Sequence, residues 1–135
     1  MKLVLDTNIY VDFAAGIPET VDFIATNGEY LFLPSVVIGE LEYGFMKSER
    51  QQLNERKLQQ FISRLKVEII PVDADVARKY ASIYLSLYSK GTKLPINDVW
   101  IGACCMVVGG TLLCNDEHFQ LISQIETVVW PFSIV

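Results

Sequence analysis

The chain has 135 residues, of which 51% are apolar and 20% charged. That fits one compact domain with a real core, and it argues against bulk disorder. Sixteen acidic residues against eleven basic ones give a formal charge of −5, which argues against a broad basic platform that grips nucleic acid unaided. No apolar run reaches the length of a membrane span. Asp6 interrupts the apolar start after three residues, so no export signal is expected. The three cysteines, Cys104, Cys105 and Cys114, have no metal-ligand spacing. An odd count of this kind fits buried thiols in a reducing cytosol.

In chain order, residues 2–5 (KLVL) read as a short strand. Residues 7–15 and 19–26 read as helices, broken at Gly16-Ile17-Pro18. Residues 30–33 (YLFL) are a second strand closed by Pro34. Ser35 is a candidate N-cap for a helix to about Met46. An amphipathic helix follows over about 49–65, with Leu53, Leu58, Phe61, Ile62 and Leu65 at helical spacing. Residues 67–70 (VEII) are a third strand. Asp73 opens a helix to about Lys90, stopped by Gly91. Its face of Val76, Tyr80, Tyr84, Leu87 and Tyr88 is expected to enter the core, and so is Trp100. Asp98–Val108 is a largely apolar helix ended by Gly109-Gly110. Residues 111–114 (TLLC) are a strand, 116–122 a short helix, and 126–130 (ETVVW) a last strand. This alternation implies a parallel sheet with helices on both faces, in a single domain over 1–135. Ligands of such folds bind at the carboxyl ends of the strands.

Several acids meet that condition. Asp6 directly follows KLVL, Asp116 follows TLLC by two residues, and Asp98 lies in the first turn of the helix leading into TLLC. Glu40 lies on the helix after YLFL. On a helical wheel Glu40 and Glu42 flank the apolar face on opposite sides, so periodicity does not choose between them. Carboxylates gathered at one sheet edge raise each other's pKa unless a cation joins them. Oxygen-only ligand sets suit Mg²⁺ or Mn²⁺ rather than zinc. Such ions can orient a water, lower its pKa and stabilise charge on a phosphodiester. Each acid also has a purely structural reading: strand end for Asp6, helix-dipole partner for Asp98, N-cap for Asp116. Thr7, Asn8 and Asn115 are candidates to support the acids. For His118, the only histidine, a solvated or capping role is favoured over general-base work. Lys47, Arg50, Arg56 and Lys57, and separately Lys90 and Lys93, are candidates for phosphate contact. Lys90 and Lys93 are preferred because their loop leads to Asp98.

Four blocks in order, LDTNI (5–9), VIGELEYG (37–44), INDVWIGA (96–103) and LLCNDEHF (112–119), resemble PIN-domain proteins, and within them VapC-type toxins, over almost the whole chain. The resemblance implies a three-layer α/β/α sandwich with a central parallel sheet. It implies an endoribonuclease dependent on Mg²⁺ or Mn²⁺, with Asp6, Glu40, Asp98 and Asp116 holding metal. It selects Glu40 over Glu42, because Glu40 precedes Leu41 with Gly44 following. It also implies an antitoxin partner and a homodimer or toxin–antitoxin hetero-oligomer. One departure stands out: Cys114 occupies the position where the family usually carries Thr or Ser. A thiol is a weak hydrogen-bond donor, so an inactive PIN-fold binding module is the alternative reading. An aspartate-based phosphotransfer protein fits less well. Asn8 stands where a phosphatase wants a second acid, and no Lys or Arg follows Lys93, where a receiver domain wants a late lysine.

Overall fold

A computed structural model describes residues 1–132. The chain order is β1 (Lys2–Leu5), α1 (Thr7–Ala14), α2 (Pro18–Asn27), β2 (Tyr30–Pro34), α3 (Ser35–Met46), α4 (Gln51–Arg64), β3 (Glu68–Ile70), α5 (Ala74–Ser89), α6 (Ile96–Val108), β4 (Thr111–Cys114), a 3₁₀ turn (Glu117–Leu121) and β5 (Glu126–Val129). The five strands form one sheet in the order β3-β2-β1-β4-β5. Every pairing is parallel, with Leu3 opposite Leu31 on one side and Thr111 on the other.

The short apolar strands follow from that position. Leu3, Val4, Leu5, Leu112 and Leu113 are all fully buried, as expected where helices cover both faces of a parallel sheet. Right-handed crossovers put α1–α4 on one face, and α5 with α6 on the other. The expected α/β/α sandwich is therefore the observed one.

The strand order also locates a crevice. From β1 the chain moves outward to β2 and β3, then returns across the sheet to β4 on the other side of β1. The β1–β4 boundary is the topological switch point, where connections diverge and leave a gap at the carboxyl ends. Gly109 helps to set β4 beside β1. It ends α6 in the left-handed region (φ 64°), where glycine carries no steric penalty.

Three local expectations change. Ser35 does not cap α3: it is the first helical residue, Pro34 holds the cap position, and no side-chain bond caps the helix. Similarly, α6 starts at Ile96 rather than Asp98, because the Pro95 carbonyl accepts from the amides of Asp98 and Val99. The aromatic face of α5 is split. Val76, Ile83 and Leu87 are buried with Tyr80 beside them, whereas Tyr84 is 46% and Tyr88 75% exposed. Residues 76, 80, 83 and 87 form the core stripe, while 84 and 88 lie on the stripe next to it. Tyr80 is half-buried, as is Trp100, and their rings stack with centroids 3.9 Å apart and planes 14° from parallel.

Candidate active site

Three acids stand at the starts of helical segments on the switch-point edge. Asp6 is the N-cap residue of α1, immediately past β1. Its amide donates to the Leu113 carbonyl at 3.1 Å, so its backbone is locked to β4. Asp98 is the third residue of α6. Asp116 caps the 3₁₀ turn, its Oδ1 accepting from the His118 amide at 3.0 Å. The positive end of a helix favours negative charge, which offsets part of the repulsion between these acids.

Asp6 carries the largest electrostatic cost. It is 7% exposed. Burial, with smaller contributions from the charges of Asp98 and Glu40, pushes its carboxyl from 3.8 up to about 6, while the Thr7 amide and His118 act against the rise. The first, second and third sequence blocks thus converge: α1, α3 and α6 place their acids within electrostatic reach of one buried carboxylate. A direct bond ties two of the segments. Thr7 Oγ1 donates to Glu40 Oε1 at 2.8 Å. Glu42 faces Glu55 of α4 instead, where desolvation and the shared contact raise its pKa. Of the two glutamates, Glu40 is the one whose charge acts on Asp6.

The fourth block joins through His118. Its Nε2 lies 2.6 Å from Asp98 Oδ2 and its Nδ1 2.6 Å from Asp116 Oδ1. A side chain expected to be solvated or capping therefore bridges two of the acids. The missing signal was tertiary: no local rule places the start of α6 against a residue beyond β4. Asp12, on α1, was also not singled out, yet Asn115 Nδ2 donates to its Oδ2 at 3.0 Å. Asn115 is thus tied to α1. Its buried Oδ1 has no partner among the described residues. Asn8 is exposed at the start of α1.

The Cys114 side chain is fully buried. Its Sγ contacts the Asp116 carbonyl oxygen at 3.6 Å. Burial, with Asp6 as the next largest cause, pushes the thiol up to about 12. At neutral pH it is a neutral, weak donor, not a thiolate ligand. Lys90 and Lys93 are exposed on the approach to α6. Of the other basic group, Lys47 lies over the Tyr43 ring, 4.5 Å from its centre, and Arg50 is exposed just before α4.

The donor chemistry fits a hard divalent cation: carboxylates, hydroxyl and amide oxygen, with the thiol neutral. Among the described residues, however, no three Asp, Glu, His or Cys side chains are already gathered around one point. Asp98 and Asp116 instead contact His118, and Glu40 accepts from Thr7.

A family model of the PIN domain matches residues 3–124. The chain belongs to the PIN-domain family. Its relatives include Ribonuclease VapC2 of Rickettsia felis, 31% identical over 135 residues, covering 96% of this chain and 98% of that one. Ribonuclease VapC5 of Mycobacterium tuberculosis is 29% identical over 125 residues, covering 85% of this chain and 93% of the relative. Among solved structures, VapBC2 of Rickettsia felis bound to a promoter DNA fragment superposes with a TM-score of 0.86 at 28% identity, covering 96% of this chain and 99% of that one. DNA-bound VapBC from Salmonella typhimurium gives a TM-score of 0.85 at 27% identity, covering 96% and 98%. This PIN domain is thus VapC-like over nearly its full length. No helix among its described residues is long and apolar enough to cross a membrane.

Proposed function

We propose that this PIN domain is a divalent-metal-dependent endoribonuclease of the VapC type, the toxin of a toxin–antitoxin pair, with residues 1–135 forming one nuclease domain. The observation that carries the reading is the buried carboxylate of Asp6 at the β1–β4 switch point, its pKa pushed up to about 6 by burial and by the charges of Asp98 and Glu40. A buried carboxylate with two further acids in electrostatic reach is suited to a cation. The ribonuclease names of the curated relatives supply the substrate class.

In this reading Asp6, Glu40, Asp98 and Asp116 hold Mg²⁺ or Mn²⁺. Bound there, the ion supplies Lewis acidity and a lowered water pKa beside a phosphodiester. The chain's own groups do the rest. Thr7 fixes the orientation of Glu40 through its 2.8 Å bond. Asn115 anchors the Asp116 loop to α1 through Asp12. Lys90 and Lys93 meet substrate phosphates, with Lys47 and Arg50 as a second group. Phosphate contacts of this kind position RNA without reading its sequence.

The VapBC structures support an antitoxin partner and a hetero-oligomer. A partner arginine placed among the acids would pair with them bidentately and exclude the ion. The reading places the protein in the cytoplasm, where its RNA substrate is. A binding module without turnover is the second reading, and Cys114 is the observation that favours it. The test is cleavage of a panel of cellular RNAs by partner-free protein with Mg²⁺ or Mn²⁺. Discrete cuts that EDTA abolishes support the nuclease. Asp6-dependent metal binding with no cuts favours the binding module.

A further inference from the structure

Helix α1 meets the exit of β4 at two points. At its start, the Asp6 amide donates to the Leu113 carbonyl at 3.1 Å. In its last turn, Asp12 Oδ2 accepts from Asn115 Nδ2 at 3.0 Å. Asn115 is the first residue past β4, and Asp116 follows it directly. One helix therefore carries Asp6 at its start and, from its other end, holds the residue that leads into Asp116.

Asp12 is poorly placed for the helix itself. With α1 spanning only Thr7–Ala14, Asp12 puts a carboxylate in the last turn, where the helix dipole favours cations. Its side chain has one hydrogen-bond partner among the described residues, Asn115. The bond has a fixed sense, because a carboxylate accepts and the amide must present its nitrogen. The amide oxygen is buried without a partner among the described residues, so Asp12 is what holds this side chain. Sheet bonds hold the chain up to Cys114, whose carbonyl accepts from the Trp130 amide at 2.9 Å. Past that point side chains hold the stretch that carries Asp116: Asn115 reaches α1, and His118 reaches Asp98 of α6.

We propose that Asp12 is a positioning residue: through Asn115 it fixes the backbone entering Asp116 against α1, and so sets where Asp116 stands relative to Asp6 for a shared cation. The inference rests on the reading of the four acids as a metal site. Asp12 acts through Asn115 and does not ligate the ion. Groups that orient metal ligands in this way matter because a loosened ligand must be ordered again on binding.

The experiment measures Mn²⁺ affinity of the full, partner-free chain by calorimetry, with thermal melts of each variant in EDTA. The variants are Asp12→Ala, Asn115→Ala, the two combined, and Asp12→Asn, which removes the charge but keeps an acceptor for Asn115. Asp6→Asn is the control. Alanine suits a helix, so Asp12→Ala is expected to fold, and Asn115→Ala reads the same bond from its other end. Each alanine variant should weaken Mn²⁺ binding about tenfold, and the double variant should be no weaker than either. Asp12→Asn should recover most of the loss and stay within about threefold of wild type, as a neutral acceptor allows. Asp12→Asn binding as weakly as Asp12→Ala overturns the inference, because the ion would then feel the Asp12 charge directly. Lower melting temperatures with unchanged affinity in the alanine variants overturn it too, leaving a purely structural bond, as do losses that multiply in the double variant. If wild type binds no Mn²⁺, or Asp6→Asn binds it equally well, the metal-site reading fails and the inference with it. If wild type binds in an Asp6-dependent way and the alanine variants keep their affinity, only the role of Asp12 fails.

Discussion

Replacing Asp6 by Asn tests the electrostatics of the site apart from its chemistry. The Asp6 carboxyl ionises at about 6 in the folded protein against 3.8 ordinarily. Its raised folded-state pKa means that its contribution is most favourable below the unfolded value and is lost as pH rises through the folded one. Metal-free wild type should therefore lose stability between about pH 4 and pH 7. At about 1.4 kcal/mol per unit, the ionised carboxylate costs up to about 3 kcal/mol. Asparagine keeps the shape and removes the charge. For a domain of this size 1 kcal/mol moves the midpoint by about 3 °C. Without metal at pH 7.5, Asp6→Asn should melt roughly 5–10 °C above wild type, and the gap should close near pH 4, where both side chains are neutral. Adding Mn²⁺ at a hundredfold excess over its dissociation constant should stabilise wild type by about 2.7 kcal/mol and the variant hardly at all. Thermal melts at the two pH values, with and without Mn²⁺, measure all of this. An Asp6→Asn protein less stable than wild type at pH 7.5 without metal would refute the reasoning, because it would make the carboxylate a structural asset rather than a stored cost.

Other substitutions probe the neighbours. Thr7→Val deletes the hydroxyl that holds Glu40 at 2.8 Å. It should cost about 1 kcal/mol in a denaturant titration and reduce cleavage, while Thr7→Ser should retain both; full activity in Thr7→Val would show that Glu40 needs no such support. All three cysteines are buried, with thiol pKa values pushed up to between about 11 and 12, chiefly by burial. The native protein should therefore leave a disulfide-exchange reagent unreacted until denaturant is added. Cys114→Ser puts a stronger hydrogen-bond donor where the thiol faces the Asp116 carbonyl and should raise cleavage if the weak thiol donor limits the site; an unchanged rate would show that the thiol does not limit it. Lys93→Ala should weaken RNA binding a few-fold at low salt, with the difference shrinking as salt rises, and equal binding at low salt would exclude a phosphate contact.

The sequence carried the fold because strand ends and helix periods are local. KLVL, YLFL and TLLC could only be buried strands, and the alternation with helices left little besides a parallel sheet. Asp6 stood out as a candidate for the same reason, since it directly follows β1, whereas Glu40 and Asp98 lie on helices well away from the nearest strand ends and were singled out by their sequence blocks. The helix starts were misjudged where proline outranked polarity. Pro34 and Pro95 take the cap positions with extended backbones (ψ 141° in both), so Ser35 and Asp98 fall inside their helices. On α5 the period identified a stripe but not its edge. Tyr84 and Tyr88 lie just beyond the strip that α6 covers. His118 was beyond sequence reasoning altogether. Its role depends on the start of α6 meeting the 3₁₀ turn, a contact between residues twenty positions apart in the chain. The Asn115–Asp12 bond, spanning 103 positions, was invisible for the same reason.

The central claim is that Asp6, Glu40, Asp98 and Asp116 act as one metal-dependent centre for cutting RNA. The most direct test is the cleavage rate of a mapped RNA substrate with Mn²⁺ for Asp6→Asn, Glu40→Gln, Asp98→Asn and Asp116→Asn, and for the Asp6→Asn/Asp98→Asn double variant. Residues that act as a unit are strongly non-additive. The account predicts losses of about a hundredfold or more for Asp6→Asn and Asp98→Asn, substantial losses for the other two, and a double variant little worse than either parent. Cleavage that survives Asp6→Asn, or losses that simply multiply in the double variant, would contradict it.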